Sequence, residues 1–448
     1  MVPASDADRR PTVLVASTPI TAHALNATPV VRSLRAAGAR VLWYAAPWLR
    51  AHAERWVGED FVAFAADLPT TFVPARTVPG TVGSLAEVRR LYRDYLVGSV
   101  PRHVDALLAL VKGEQVDVVV SDTLMLAAGI VSELTGVAWA TLGDGPLQWP
   151  DPDLPPFGSG LPVLHGPAGR HRNRQVKHTV DAVLFSGALA DYNQVRRAHG
   201  LWPVSDLLTA GVSRRLHLQG CTPGFEYPRK VWPEFIRFVG ALGPGPGFAP
   251  PVPAQLLRDR RSRPLALVTQ GTMRPDPREL ALPASRALLS AGFEVLVAGM
   301  ASPLPGSSHV TAVAAVDYYD ALAQADVFVT NGGYTGVTLA LAAGTPVVQC
   351  GATEEKPDIG ARLRASGAGE AIRMVKAPPW VIERAVRRVL TDPGHRRAQE
   401  RLRAEFAAHD AEALIRDALL PLLPVGTVRS DVALHEVHEV TPPSPDGA

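Results

Sequence analysis

Short apolar runs recur along this chain, each closed by a glycine or polar turn and followed by a longer stretch of helical period. In the first half, the β-branched run Thr12–Ala16 leads into a loop at Ser17–Ala22. A helix from about Asn26 to Ala37 stops at Gly38, and Arg40–Tyr44 forms the next strand. Val116–Val120 reads as another strand; Ser121 and Asp122 follow it, then a helix from about Leu124 to Leu134 and a strand over Gly136–Ala140. The second half repeats the order: strand Leu265–Thr269, loop Gln270–Thr272, helix Glu279–Ala291, strand Glu294–Ala298. Strands alternating with helices imply parallel sheets covered on both faces. Two such blocks predict an α/β protein of two Rossmann-like domains facing each other across a cleft.

Between the blocks, Val239–Pro253 contains Gly243-Pro244-Gly245-Pro246-Gly247 and Pro250-Pro251. Such a stretch holds neither a helix nor a central strand. The expected organisation is a domain over 11–240, a linker over 241–253 and a second domain over 254–408. A closing segment over 409–424 carries a helix near Ala411–Leu423, and the polar, Pro-rich tail 425–448 is expected to be disordered. Pro69–Val82 and Gly143–Pro167 interrupt the first block as long loops, the kind that form walls or lids.

One turn carries more chemistry than the others. The apolar run Ala325–Thr330 ends in Asn331-Gly332-Gly333, followed by a helix over Tyr334–Ala343, then Gly344-Thr345-Pro346 and a strand over Val347–Cys350. Unpaired amides and the dipole at a helix N-terminus favour a phosphate. Glycine allows close approach, and Thr335 adds a hydroxyl donor. A bare Gly-Gly is equally consistent with a plain tight turn between strand and helix.

Composition narrows the function. The chain has 448 residues, 47% hydrophobic and 20% charged, with mean hydropathy +0.07, which describes a soluble globular protein. A net charge of +2 gives no case for nucleic acid or an acidic membrane surface. Two cysteines, Cys221 and Cys350, fit a reducing compartment and exclude a disulfide framework. Met1–Pro11 is too polar for a signal peptide, and no apolar stretch nears the ~20 residues of a membrane span. The expectation is a cytoplasmic protein with no stable membrane anchor.

Several patterns have ordinary explanations. Asp151-Pro152-Asp153 imitates a metal-binding pair but lies in a Pro-rich loop, and the histidines do not cluster with carboxylates at ligand spacing, so no metal is expected. Arg170–Lys177 is a basic run without interleaved aromatics and reads as a solvated face. Trp43, Tyr44, Phe61 and Phe64 read as core. No Gly-x-Gly-x-x-Gly follows a strand, which counts against a dehydrogenase.

His23 lies in the loop after the first strand, at the carboxyl edge where open α/β sheets bind ligands. An imidazole of ordinary pKa, about 6.5, suits general-base work near neutrality. Asp122 occupies the equivalent edge after another strand. From spacing alone, the first could be a surface histidine and the second an N-cap for the helix that follows.

The stretch Asp326–Ala368 resembles the donor-binding signature of the family-1 inverting glycosyltransferases of GT-B fold. It reads Asn331-Gly332-Gly333, Gly344-Thr345-Pro346, Glu355-Lys356-Pro357, Ala361-Arg362, then Gly367-Ala368-Gly369. The first half is similar to the family's opening strand, loop histidine and helix through Thr21-Ala22-His23, Arg32-Ser33-Leu34 and Gly38-Ala39-Arg40-Val41. The likeness is greatest to bacterial members that glycosylate macrolides and other secondary metabolites. It implies His23 as the general base and Asp122 as its orienting partner. It places the donor diphosphate on Asn331, Gly332, Gly333, Thr335 and Gly336, with Gly271 and Thr272 opposite, and the sugar hydroxyls on Glu355 and Lys356. The implied co-substrate is a dTDP- or UDP-sugar with no other cofactor, and the implied partner a hydrophobic small-molecule acceptor lined by Ala65–Leu85 and Gly143–His178. The helix near Ala411–Leu423 would cross back to the first domain, and the chain could pair as a homodimer.

Three positions depart from the family pattern. Asn331 replaces a histidine, so diphosphate affinity is expected to rest more on backbone amides. Lys356 replaces a glutamine, which can change sugar selection or bring a charge to a phosphate. Ala315 stands where an aromatic often stacks on the base, with Tyr318 and Tyr319 nearby. Two other readings share the architecture: a nucleotide-sugar epimerase, and a non-catalytic glycosyltransferase-like partner protein. The latter could dispense with both His23 and Asp122.

Overall fold

The computed structural model describes residues 9–70, 85–258, 263–271, 276–300 and 308–424. Most of Pro69–Val82, Thr272 and the tail 425–448 lie outside them. The first sheet holds β1 (Thr12–Ala16), β2 (Arg40–Ala45), β3 (Phe61–Ala63), β4 (Val118–Asp122), β5 (Ala138–Gly143), β6 (His217–Gln219) and β7 (Ile236–Phe238), in the order β3-β2-β1-β4-β5-β6-β7. The second holds β8 (Leu265–Thr269), β9 (Glu294–Ala298), β10 (Val310–Val313), β11 (Val327–Thr330), β12 (Val347–Cys350) and β13 (Gly369–Ile372), in the order β10-β9-β8-β11-β12-β13. Every strand pair in both sheets is parallel.

The central strands are apolar on both faces because helices cover both. Val13 and Val15 enter one core cluster of the first sheet and Leu14 the other; Trp43, Tyr44, Phe61 and Phe64 are core residues as well. In each sheet the strand order reverses once, between β1 and β4 and between β8 and β11. Crevices open at the carboxyl ends of the strands at such points. His23 and Asp122 lie at the first, and the Asn331 turn at the second.

Most elements of the second half coincide with the sequence pattern, including β8, β9, β12 and the helix Tyr334–Ala343. The first half differs in ways that matter. The helix expected over Asn26–Ala37 is two helices, Thr21–Asn26 and Thr28–Ala36, separated at Ala27. Pro29, in the first turn of the second, has no N–H to continue the hydrogen bonding of the first. His23 therefore sits on a short helix rather than in a loop. β4 begins at Val118, after Asp117 turns its carboxylate to the Thr12 amide (2.8 Å) and to Arg9, and ends on Asp122, which is still paired with Leu142 of β5. Asp122 is thus the last residue of the strand, not a residue beyond it. β5 runs on to Gly143, in register with β4 up to Asp122↔Leu142.

No helix or strand forms between β7 and the helix Ala254–Arg258. The helix Pro393–Ala407 places Leu402 and Phe406 in a core of the second sheet, which also receives Cys221 and Phe225 from the segment after β6. The helix Ala411–Leu419 lies on the first sheet's side, with Ile415 and Leu419 in its core and Glu412 paired to Arg32 at 3.1 Å. Among the described residues no helix is long and apolar enough to cross a membrane.

Candidate active site

At the first switch point His23 meets two carboxylates. Its Nδ1 lies 2.8 Å from Asp144 Oδ2 and 3.8 Å from Asp122 Oδ1. The histidine side chain is 20% exposed, while those of Asp122 and Asp144 are 2% and 1% exposed. Burial is the largest influence on the imidazole and lowers its pKa. The opposing charge of Asp144 and its hydrogen bond to the ring, then the charges of Asp122 and Glu355, outweigh it and raise His23 to about 9. Glu355 belongs to the other half of the chain, so its charge acts across the cleft.

The two carboxylates are held differently. Asp122 accepts hydrogen bonds from the Thr18 amide at 2.6 Å, from the Thr18 hydroxyl and from the Leu124 amide at 2.9 Å. It secures the segment around Thr18 that leads into the His23 helix and also caps the turn after β4. Burial, more than any other influence, pushes its pKa up. Asp144 and His23 Nδ1 are both buried and, among the described residues, have no hydrogen-bond partner besides each other, so the 2.8 Å contact between them is the one that holds both groups.

Asp144 was missed in the sequence. The signal that singled out Asp122, a carboxylate at a strand's carboxyl edge, was present in Gly143-Asp144-Gly145, but the strand was expected to end at Ala140. Its backbone is fixed from several sides. The Gly220 amide donates to Gly143 O at 2.7 Å, and Gln219 Nε2 donates to Gly145 O at 2.8 Å. The same Gln219 amide donates to the Tyr334 hydroxyl at 2.9 Å, reaching the helix after the glycine turn. A Cβ on Gly143 would come within 2.5 Å of His217 Nε2, so only glycine fits.

At the second switch point the expected donor residues gather around one turn. The Asn331 side chain donates to Gln270 O, which ties the turn to the loop after β8 and leaves its amide nitrogen engaged. Gly271 lies against that amide; a Cβ on it would come 2.7 Å from Asn331 Nδ2. Gly332 has φ +95°, gives its N–H to Thr330 Oγ1 at 3.1 Å and would drive a Cβ into Gln349 at 2.5 Å. Gly333, at the N-cap of the helix, faces open space. Gly336 instead packs against the rings of Tyr318 and Phe328, and Tyr319 approaches Gly243 of the interdomain stretch. The Thr335 hydroxyl meets the Asn26 side chain across the cleft, 2.9 Å from Nδ2 and 3.2 Å from Oδ1. Glu355 precedes the helix Lys356–Ser366 without capping it, and its charge also bears on Tyr92. Lys356 is buried with its ammonium on Glu354.

The loop between β5 and the helix Gly166–Val180 closes over one end of the cleft. Its Gly158 and Gly160 amides donate to the two oxygens of Asp358, at 2.9 and 3.0 Å. Its Asp151 and Asp153 carry cationic partners: Arg229 at 3.7 Å from the first, Arg170 and Lys230 from the second. Within the basic run, Lys177 pairs with Asp181 and Asp206. Among the described residues no group of three His, Cys, Asp or Glu side chains is placed to hold a metal ion.

No family model matches the chain. It is 35% identical over 414 residues to 4'-demethylrebeccamycin synthase of Lentzea aerocolonigenes, covering 89% of this chain and 96% of that protein. Its fold is similar to that of the glycotransferase of kitacinnamycin, with a TM-score of 0.70 at 20% identity over 93% of this chain and 100% of the other. It is also similar to the Streptomyces sp. SF2575 glycosyltransferase SsfS6 complexed with thymidine diphosphate, with a TM-score of 0.64 at 22% identity over 92% and 99% of the two chains.

Proposed function

The chain belongs to the family-1 glycosyltransferases of GT-B fold, typical of bacterial secondary-metabolite pathways, and we propose that it inverts the anomeric centre without a metal. The donor in this reading is a dTDP- or UDP-sugar, and the acceptor a hydroxyl of a hydrophobic small molecule. Residues 11–240 serve the acceptor and 254–408 the donor, while 409–424 return to the first domain; the enzyme works in the cytoplasm.

The observation that carries the proposal is His23 held against buried carboxylates at one switch point, facing the charge of Glu355 from the other. A carboxylate on Nδ1 leaves Nε2 to take a proton. As the acceptor oxygen bonds to the anomeric carbon, the bond from that carbon to the diphosphate breaks. The hydroxyl proton passes to His23, and the electron pair of the broken bond stays on the phosphate. The leaving charge is met by backbone amides at the start of the helix Tyr334–Ala343, close to Gly333, with Thr335 able to exchange Asn26 for a phosphate oxygen. Glu355 and Lys356 lie where sugar hydroxyls would be read; Thr272 is outside the described residues.

The test is mass spectrometry of donor and alcohol acceptor incubated with wild type and His23→Ala. The variant should bind nucleotide as before yet lose about 10²–10⁴ in turnover. Full activity of the variant would remove the general-base assignment. A donor changed without any acceptor would favour an epimerase, and no product from either substrate a non-catalytic partner.

A further inference from the structure

We propose that Asp144 is the positioning carboxylate of the His23 base, and that Asp122 chiefly fixes the segment around Thr18 that leads into the His23 helix. This rests on the general-base reading above and assigns a residue to it. The distances differ by 1.0 Å in favour of Asp144, 2.8 against 3.8 Å. The hydrogen bonding separates the two further. Asp122 already accepts from Thr18 twice and from Leu124. Asp144 is as deeply buried, yet among the described residues neither oxygen has a hydrogen-bond partner apart from His23. A buried carboxylate without donors is costly unless a cation stands beside it. His23 is the cationic group against it, and it gains that charge when it takes the acceptor's proton.

The surroundings are built to keep Asp144 in place. Gly143 and Gly145 are pinned by Gly220 and Gln219, and Gln219 is pinned in turn by Tyr334, next to the donor turn. His217, the other imidazole near Asp144, is held by Thr141 at 2.9 Å and Gln219 at 3.1 Å. Burial lowers its pKa to about 4, which leaves it neutral. The charged groups facing His23 are therefore Asp144 after β5, Asp122 at the end of β4 and Glu355 from the second domain.

The experiment compares Asp144→Asn with Asp122→Asn by three readouts: the His23 titration followed by ¹⁵N NMR, turnover on an alcohol acceptor, and affinity for UDP and dTDP. Asp144→Asn should move the His23 midpoint down by about one pH unit or more and lower the plateau kcat, read above pH 9 where the imidazole is neutral in both proteins, by about 10–100-fold, with nucleotide affinity changed less than about twofold. Asp122→Asn should move the midpoint less and lower the melting temperature more. An unchanged midpoint in Asp144→Asn beside a large fall in Asp122→Asn would overturn the proposal. If asparagine at 144 prevents folding, Asp144→Ser removes the same charge and carries the same expectation. The titration needs no turnover, so it judges the pairing even if an active His23→Ala has already ended the general-base reading.

Discussion

Glu226 and Arg362 meet at 2.7 Å with side chains only 1% and 5% exposed, one following β6 and the other on the helix Lys356–Ser366. The same Glu226 oxygen accepts the Leu147 amide at 3.0 Å, and the guanidinium stacks 4.5 Å from the Tyr227 ring. One buried ion pair thus joins the first sheet, the loop after β5 and the second domain. Burial disfavours both charges, but the carboxylates of Glu226 and Asp358 hold the guanidinium firmly protonated.

Removing Glu226 leaves the Arg362 charge buried without its hydrogen-bonded counter-ion. Glu226→Ala should therefore destabilise the protein by about 3–5 kcal/mol in urea unfolding. A loss below about 1 kcal/mol, the range of exposed pairs, would mean that water reaches the pair in solution.

The pH dependence follows from His23. With its pKa raised to about 9, the imidazole is largely protonated at neutral pH and cannot accept a proton. Turnover on an alcohol acceptor should rise about tenfold per pH unit from pH 7 towards 9, then level. For stability the sign is opposite. A group whose folded pKa lies above its ordinary 6.5 stabilises fully below that value, and the contribution is lost as pH rises through about 9. A rate profile that is flat from pH 7 to 9 on an acceptor that does not ionise would contradict the assignment.

Two adjacent glycines should respond differently to a methyl group. Gly332→Ala meets Gln349 and a positive φ, so the turn itself should lose about 1–3 kcal/mol. Gly333→Ala points into open space at φ −60° and should leave stability within about 0.5 kcal/mol. Yet it should weaken nucleotide binding about tenfold or more if the diphosphate approaches there. Unaltered binding in Gly333→Ala, measured by calorimetry, would move the diphosphate off this turn.

A chelator should leave both nucleotide binding and turnover within about twofold of the untreated enzyme, because helix-terminal amides meet the leaving charge. A strict requirement for Mg²⁺ or Mn²⁺ in the same assay would overturn that account.

The sequence alone determined the alternation of strands and helices, and with it two parallel sheets, because a strand buried on both faces must be apolar throughout. β8, β9, β12 and the helix Tyr334–Ala343 were legible to the residue, since Gly, Pro and Asn punctuate their ends. The glycine turn was legible as well, and so was His23 as a residue at a sheet's carboxyl edge. The end of β5 was not, because only pairing with β4 up to Leu142 and with β6 at Gly143 carries the strand on and sets Asp144 beside the imidazole. Nor could the sequence tell that Asn331 turns to Gln270, that Thr335 crosses to Asn26, or that Asp358 receives Gly158 and Gly160. Those contacts join residues far apart along the chain, and local propensity holds no information about such partners. Periodicity is written in neighbouring residues, whereas the distances that set the charge of His23 exist only once β1, β4 and β5 have paired in one sheet, with Glu355 added from the facing domain.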